Sequence, residues 1–432
     1  MLQNRVAWRR LSIVRVEVQG AGVLAPFGVR SFRCQWPADL MTSLAFEMET
    51  LILGWYVLVE SGSVLWLTAF GALQFHGTLF SPMLGVIGDR IGHRNLLCGM
   101  RAVYLGLALV IMSAAFAGIL WPGLVLGLAI LTGLVRPSDL AVRGATVAAT
   151  MPVSLLAGAM GIARATSDMA RIAGALLGAG LLAQLGMGPA YAVIAACYAI
   201  GLLFTTLIAR TPAVKDVGAG NRARSSAWRD LLEGLGYVWS TPRLRAAMWL
   251  AFLMNMTLLP LSGGLLPFVA RGVYHIDQAG LGMLSASFAF GSLLGSVALS
   301  IAGGRVRLAR TMMVATLVWS VILLAYARTE VASIGLVLLA MAGVTQSLCM
   351  VTMAVMLLKT SEERLRGRVM GVRMLAIFSQ TFGLLAAGAL IEHFGFGVTA
   401  TLLAGSALVC ALLIMVRWQV DLWPADAPAN AR

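Results

Sequence analysis

The sequence predicts an all-α polytopic membrane protein with twelve transmembrane helices in two pseudo-symmetric six-helix bundles. Three observations predict it. Of the 432 residues 59% are apolar and 12% charged, whereas soluble domains carry about 25% charge. The apolar residues gather into runs near the roughly 20 residues that cross a bilayer core. The net charge of +14 lies in short loops between those runs, where membrane topology puts cations, and is not gathered on a surface for nucleic acid.

The first six runs fall near 38–59, 64–88, 95–117, 122–142, 157–183 and 188–209. Six more follow near 246–269, 279–302, 311–327, 332–358, 369–391 and 396–417. This divides the chain into an N-terminal arm (1–36), a six-helix bundle (37–209), a linker (210–245), a second bundle (246–418) and a tail (419–432). The arm carries Arg5, Arg9, Arg10 and Arg15 but lacks a continuous apolar core and a small-residue cleavage site. It reads as a cytoplasmic arm, not a cleaved signal peptide.

With both termini inside, the cytoplasmic segments hold Arg90, Arg94, Arg136, Arg143, Arg222, Arg224, Arg243, Arg245, Arg305, Arg307, Arg310, Arg364, Arg366 and Arg368. The opposite loops contain only Arg271 and Arg328. That asymmetry puts both ends in the cytoplasm and the chain in the cell's inner membrane.

The linker starts loosely at Thr211-Pro212 and continues as Ser226-Ala-Trp-Arg-Asp-Leu-Leu-Glu-Gly-Leu-Gly-Tyr-Val-Trp239. Trp228, Leu231, Leu232, Leu235 and Trp239 share one helical face. An amphipathic helix on the inner membrane surface fits this pattern. A helix packed on the protein's own cytoplasmic loops fits it equally.

Between the second and third runs stands Gly85-x-x-Gly88-Asp89-Arg90-x-Gly92-His93-Arg94. Its glycines let two helices meet at a short loop, and its carboxylate and cations can pair or engage a neighbouring helix end. Gly303-Gly-Arg-Val-Arg-Leu-Ala-Arg310 follows the eighth run as a worn copy without the Asp-Arg pair. A degenerate six-span repeat is what internally duplicated transporters carry.

With these residues in place, the chain resembles the major facilitator superfamily over nearly its full length. The 85–94 loop matches that superfamily's signature, with His93 where Arg or Lys is usual. Ser31-Phe-Arg33, Gly54-Trp55, Glu60-Ser-Gly-Ser63, Gly71-Ala-Leu-Gln-Phe75 and Glu363-Arg-Leu-Arg-Gly-Arg-Val-Met-Gly371 resemble the enterobactin-exporter and macrolide-efflux branch. The resemblance implies two bundles rocking about a central cavity, driven by a proton gradient with no cofactor. It also implies that Gly85, Gly88, Asp89, Arg90, Gly92 and Arg94 form a gating motif, with Asp89 facing the start of the eleventh helix. A topology anchor without a gating role is the plainer reading. Efflux members often carry Gly-Pro in the fifth helix, and here Gly174 is followed by Ala175. Gly174 and Gly178 still form a small-residue packing face.

Charges inside spans are costly and are functional candidates by default. Glu47 and Glu49 of the first span point about 200° apart, so they cannot both line one cavity. Glu49 is the favoured cavity acid, as a proton carrier or cation contact. Arg164, Asp168 and Arg171 stack an acid between two cations, as an ion network or as an anion contact. Gln74, His76, Asn255, Gln346 and Gln380 are further cavity candidates, and His76 reads equally as a packing residue. Met254, Met256, Met350, Met353 and Met356 suggest an adaptable apolar wall.

Cys34, Cys98, Cys197, Cys349 and Cys410 have no paired spacing for a disulfide or zinc site. There is no His-Glu-x-x-His, Gly-x-Ser-x-Gly, Walker loop or Asp-Asp cluster, which argues against an enzyme and against a metal centre. The expectation is a monomeric secondary transporter in the lipid bilayer. It would be a proton-coupled exporter of a small amphipathic or anionic organic molecule, siderophore- or drug-like. The rivals are a proton-coupled nutrient uptake symporter, a membrane-embedded lipid-modifying enzyme and a transporter-derived sensor.

Overall fold

A computed structural model describes residues 24–80, 91–208, 227–303 and 306–419. The N-terminal half comprises α1 (Arg30–Ser61), α2 (Val64–Leu73), α3 (His93–Phe116), α4 (Pro122–Thr150), α5 (Val153–Leu185) and α6 (Met187–Thr206). Helix α7 (Ala227–Ser240) lies in the linker. The C-terminal half comprises α8 (Pro242–Leu259), α9 (Gln278–Ala302), α10 (Leu308–Tyr326), α11 (Ala332–Thr360) and α12 (Arg366–Arg417).

Ten stretches among the described residues are long and apolar enough to cross a membrane. One of them holds α12, which contains two spans, because Gly395 breaks its helical geometry with φ 77°. A positive φ of this kind suits glycine, which has no Cβ to clash. Helix α2 continues as a 3₁₀ turn over His76–Phe80 and then leaves the described residues. It corresponds to the second apolar run as far as Phe80, and among the described residues the other eleven runs each correspond to a helical segment.

Two sequence boundaries move. Helix α1 begins eight residues before the apolar run at 38, with Pro37 inside it. Helix α4 continues to Thr150 with Pro137 inside it. Arg136 and Arg143, counted above among loop cations, therefore lie on α4. Partners within the bundle make their burial tolerable there, as the site below shows.

Small residues set the close helix contacts. Gly174 of α5 packs on Glu47 Cβ and Leu44 O of α1, and a Cβ at Gly178 would sit 2.9 Å from Met48 Cα. The small-residue face read from sequence is thus spent on α1. The two halves meet mainly where α5 packs on α9 and α2 packs on α12. At the first contact a Cβ on Gly282 would lie 3.1 Å from Ala175 O; at the second, Gly388 abuts Thr68.

Helix α8 does not stay regular. It passes through a π turn at Pro260–Gly264, a short helix at Leu266–Phe268 and a second π turn at Val269–Val273. Pro260 and Pro267 each remove a backbone donor, and such bulges concentrate at functional places in helices.

Of the basic turn, Gly85, Gly88, Asp89 and Arg90 lie outside the described residues. Gly92 has φ 88° at the start of α3. Arg94 donates to the Thr205 carbonyl at 3.5 Å and to that of Thr206, at the end of α6. A cation there meets the free carbonyls of a helix C-terminus. Arg94 thus ties α3 to α6 within one half.

Candidate functional site

A cavity of about 360 Å³ lies between the halves. Helix α1 lines it with Glu47, Thr50, Leu51 and Gly54, and α2 and its extension with Phe70, Gln74 and Phe75. Arg136 enters from α4, Arg171 from α5, Ser262 from the first π turn, Ser285 from α9, Gln346 from α11 and Gln380 from α12. Both halves thus build one chamber, apolar over much of its wall with a few charged and amide groups.

The charged wall is small. Arg171 Nε lies 3.8 Å from Glu47 Oε1, both side chains about one-third exposed at 32% and 27%. Arg136 donates to Gln74 Oε1, reaches Thr50 Oγ1 at 3.4 Å and lies over the Phe46 ring. None of these Arg136 partners is a carboxylate. Glu47, Arg136 and Arg171 together carry one excess positive charge, held by an amide, a hydroxyl and an aromatic face.

Glu49, the favoured cavity acid in the sequence, does not line this chamber. It is buried and accepts a hydrogen bond from Tyr198 Oη at 2.7 Å. The opposition of Glu47 and Glu49 holds, but neighbours decide which one faces the cavity. Gly174 lets α5 close on the Glu47 side, bringing Arg171 to it, while α6 covers Glu49 with Tyr198.

The other sequence candidates divide in the same way. Gln74, Gln346 and Gln380 line the cavity. Asn255 is buried in the C-terminal half and donates to Ala251 O at 2.8 Å on its own helix. His76 Nδ1 lies 2.5 Å from Leu73 O, and a Cβ at Gly133 would approach that nitrogen to 2.8 Å. His76 therefore sits in the α2–α4 packing contact. None of Met254, Met256, Met350, Met353 and Met356 lines the cavity. Met254, Met353 and Met356 are core residues of the C-terminal half, so the expected methionine wall is a packing feature.

The Arg164, Asp168, Arg171 stack also splits. Asp168 is buried and lies 3.2 Å from Arg164 Nε, while Arg171 turns to Glu47. Helical spacing put all three on one face, but α1 supplies Arg171 with a nearer carboxylate.

A second polar cluster was not anticipated from the sequence. Arg101 of α3, fully buried, donates to Asp39 Oδ1 and Thr205 Oγ1, and to Gly201 O at 3.2 Å. Arg143 of α4 pairs with Asp139, lies 3.7 Å from Asp39 Oδ1 and donates to Ser43 Oγ at 2.7 Å. Two acids and two arginines balance, which is how buried charge is kept tolerable. Arg101 inside the third apolar run was the available signal.

At the α1 C-terminus the halves are joined directly. Arg271 Nη1 donates to Leu58 O at 3.1 Å, and a Cβ on Gly54 would stand 3.4 Å from Pro267 Cγ. The cavity is therefore roofed on the side where α1 ends.

A two-half helical fold enclosing a shared, partly charged chamber defines a membrane transporter. The profile of the transmembrane secretion effector family, within the major facilitator superfamily, matches residues 21–432. The chain belongs to that family and is a multi-pass transporter of a small molecule, not an enzyme. No curated protein sequence matches it. Among solved structures it is similar to the nucleoside transporter NupG, with 15% identity, TM-score 0.71, and coverage of 90% of this chain and 99% of that one. A POT family transporter in complex with 5-aminolevulinic acid shares 13% identity at TM-score 0.72, covering 92% and 97%. The human organic anion transporter TETRAN shares 18% at TM-score 0.63, covering 89% and 99%. At these identities the likeness shows the fold alone.

Proposed function

We propose that the chain is a proton-coupled exporter that carries a small amphipathic organic molecule, one with a donor or cationic group, out of the cytoplasm by alternating access. The observation that carries this reading is the Glu47–Arg171 pair on the wall of the chamber shared by the halves. An ion pair about one-third exposed is held weakly enough to be broken in each cycle. The family's description as secretion effectors supports the outward direction.

Charged Glu47 holds Arg171. A proton on Glu47 ends that attraction and frees the guanidinium, which changes what the cavity binds. A cargo whose donor or cationic group competes with the proton for Glu47 is bound by the deprotonated protein alone. Proton and cargo then exclude each other, and an inward proton gradient drives export. Bound cargo can shift the halves only by as much as its affinity differs between them.

One observation favours a second reading. Arg136 adds positive charge to the chamber, and its side-chain hydrogen bonds there go to an amide and a hydroxyl, not to a carboxylate. A purely anionic cargo that took Arg171 would take the place of the Glu47 carboxylate, and a cargo that needed a proton on Glu47 to do so would travel together with it. That is the linkage of an uptake symporter.

In the export reading the Arg271–Leu58 contact closes the outer mouth, and Asp89 latches the cytoplasmic one. Purified protein is screened by thermal shift against siderophores, antibiotics and organic acids. A stabilising compound is then followed in proteoliposomes of known orientation under an imposed pH gradient. Exchange of cargo for protons, directed away from the cytoplasmic face, supports export. Accumulation at that face together with protons overturns it in favour of uptake.

A further inference from the structure

Helix α7 presents three distinct faces. Leu231, Gly234 and Val238 turn toward the protein: Leu231 packs on the core, Val238 is fully buried, and a Cβ at Gly234 would lie 2.9 Å from Arg368 Cβ of α12. Leu232, Leu235 and Trp239, at i, i+3 and i+7, form a second face that the protein leaves exposed. Arg229, Glu233, Gly236 and Ser240 make the third face, with no large apolar group.

The helix is firmly held where it lies. Glu233 pairs with Arg368 and lies 3.5 Å from Arg364, and Tyr237 Oη accepts from the Glu362 backbone N–H at 3.3 Å. Arg245 donates to Trp239 O at 3.3 Å, meeting a carbonyl at the helix C-terminus. Its main packing partners, α8 and α12, both belong to the C-terminal half.

The exposed face does not end with the helix. The Trp239 ring lies 6.0 Å from Trp249 of α8, and Trp249 meets Phe252 edge-on at 6.2 Å. Trp249 and Phe252 are both exposed on a membrane-spanning helix, so they face lipid. The stripe on α7 is therefore continuous with the bilayer-facing surface of α8, and it is richest in tryptophan where the chain leaves the apolar region. Tryptophan concentrates at that boundary because its ring is apolar while its N–H remains hydrated.

We propose that α7 is an interfacial anchor. Its Leu232, Leu235 and Trp239 face sits in the boundary between headgroups and acyl chains of the cytoplasmic leaflet, with the Arg229–Glu233 face toward water. This rests on the cytoplasmic placement of the linker. Because α7 is clamped to α8 and α12, the anchor moves with the C-terminal half and sets its depth in the membrane.

The test uses the full chain with its native cysteines replaced by serine, in phosphatidylglycerol–phosphatidylcholine nanodiscs. A nitroxide at Leu232→Cys is expected to collide preferentially with oxygen, and one at Arg229→Cys with an aqueous nickel chelate. Nickel access at both positions would overturn the anchor. A second measurement needs no cysteine. The fluorescence difference between the native chain and Trp239→Phe should be quenched by phospholipid brominated on its acyl chains. Quenching of that difference by aqueous iodide, with none by brominated lipid, would also overturn the anchor. The side of the membrane is read separately by an impermeant maleimide on Arg229→Cys. Labelling in inverted vesicles only is expected; labelling from outside intact cells would reverse the topology and so refute a cytoplasmic-leaflet anchor, whatever depth the nitroxides report.

Discussion

Glu47→Gln isolates coupling from the rest of the cycle. At 3.8 Å the Glu47–Arg171 attraction is about 4 kcal/mol at an effective dielectric constant of about 20. Both side chains are about one-third exposed, so water screening and their own desolvation cut the net value to about 1 kcal/mol. Glutamine keeps the shape but cannot carry a proton. Freed from its partner, Arg171 should bind an anionic group about fivefold more tightly, the factor that about 1 kcal/mol represents. A cargo that instead needs the Glu47 carboxylate should lose affinity. If Glu47 couples as proposed, transport driven by a pH gradient should vanish in either case, because glutamine cannot carry the proton, while exchange of cargo across the membrane at uniform pH continues. The assay is paired proteoliposome experiments, one with an imposed pH gradient and one measuring counterflow without it. Native gradient-driven transport in Glu47→Gln would refute the assignment of Glu47 as the coupling acid. Loss of both activities with a normal melting profile would show that Glu47 serves cargo binding or the conformational change.

Arg101→Gln should lower stability by about 3 kcal/mol, because it leaves the partly buried Asp39, its side chain 15% exposed, with only the more distant Arg143; thermal melting in detergent measures this, and adding Asp39→Asn should restore part of the loss. Gly178→Val places a branched side chain against the α1 backbone at Met48 and should abolish stable folding, read as aggregation in size-exclusion chromatography; the same change at Gly180, with nothing within 4 Å of its added Cβ, should be tolerated. Asp89→Asn should cut transport while expression stays near normal, and full transport in that variant would remove Asp89 from the gate.

Much of the fold was legible in the sequence because the bilayer limits the choices. Backbone groups in hydrocarbon must bond within their own segment, so a long apolar run is read as a helix. The runs at 311–327 and 332–358 correspond closely to α10 and α11. Legibility failed where charge lay inside the bundle. Arg136 and Arg143 looked like loop cations because single arginines at the end of an apolar run usually mark its boundary. In the structure α4 passes through both, since Gln74 and Phe46 receive one and Asp39 and Asp139 the other. Asp139 stands four residues before Arg143 on α4 itself, but Gln74, Phe46 and Asp39 lie on other helices, and no local pattern announces them.

The candidate site shows the same division. Its polar inventory was readable: Glu47, Gln74, Arg171, Gln346 and Gln380 stand out because polar groups in spans are costly. His76 and Asn255 stood out for the same reason, but local hydrogen bonds and packing account for them. For the linker helix, sequence alone left membrane contact and self-packing as competing readings. The structure supplies a protein contact for Leu231 and Val238 and leaves Leu232, Leu235 and Trp239 uncovered, so both readings describe parts of one helix.

By itself the sequence determined the class of fold, the order of the described spans and the transporter superfamily. Each depends on composition and short-range spacing, which the bilayer turns into helices of near-standard length. Only the tertiary structure decided that Glu47, not Glu49, meets Arg171, and that Arg136 belongs to the chamber. Those outcomes depend on how α5 and α6 approach α1, and the approach is set by glycines and packing between residues more than 100 positions apart.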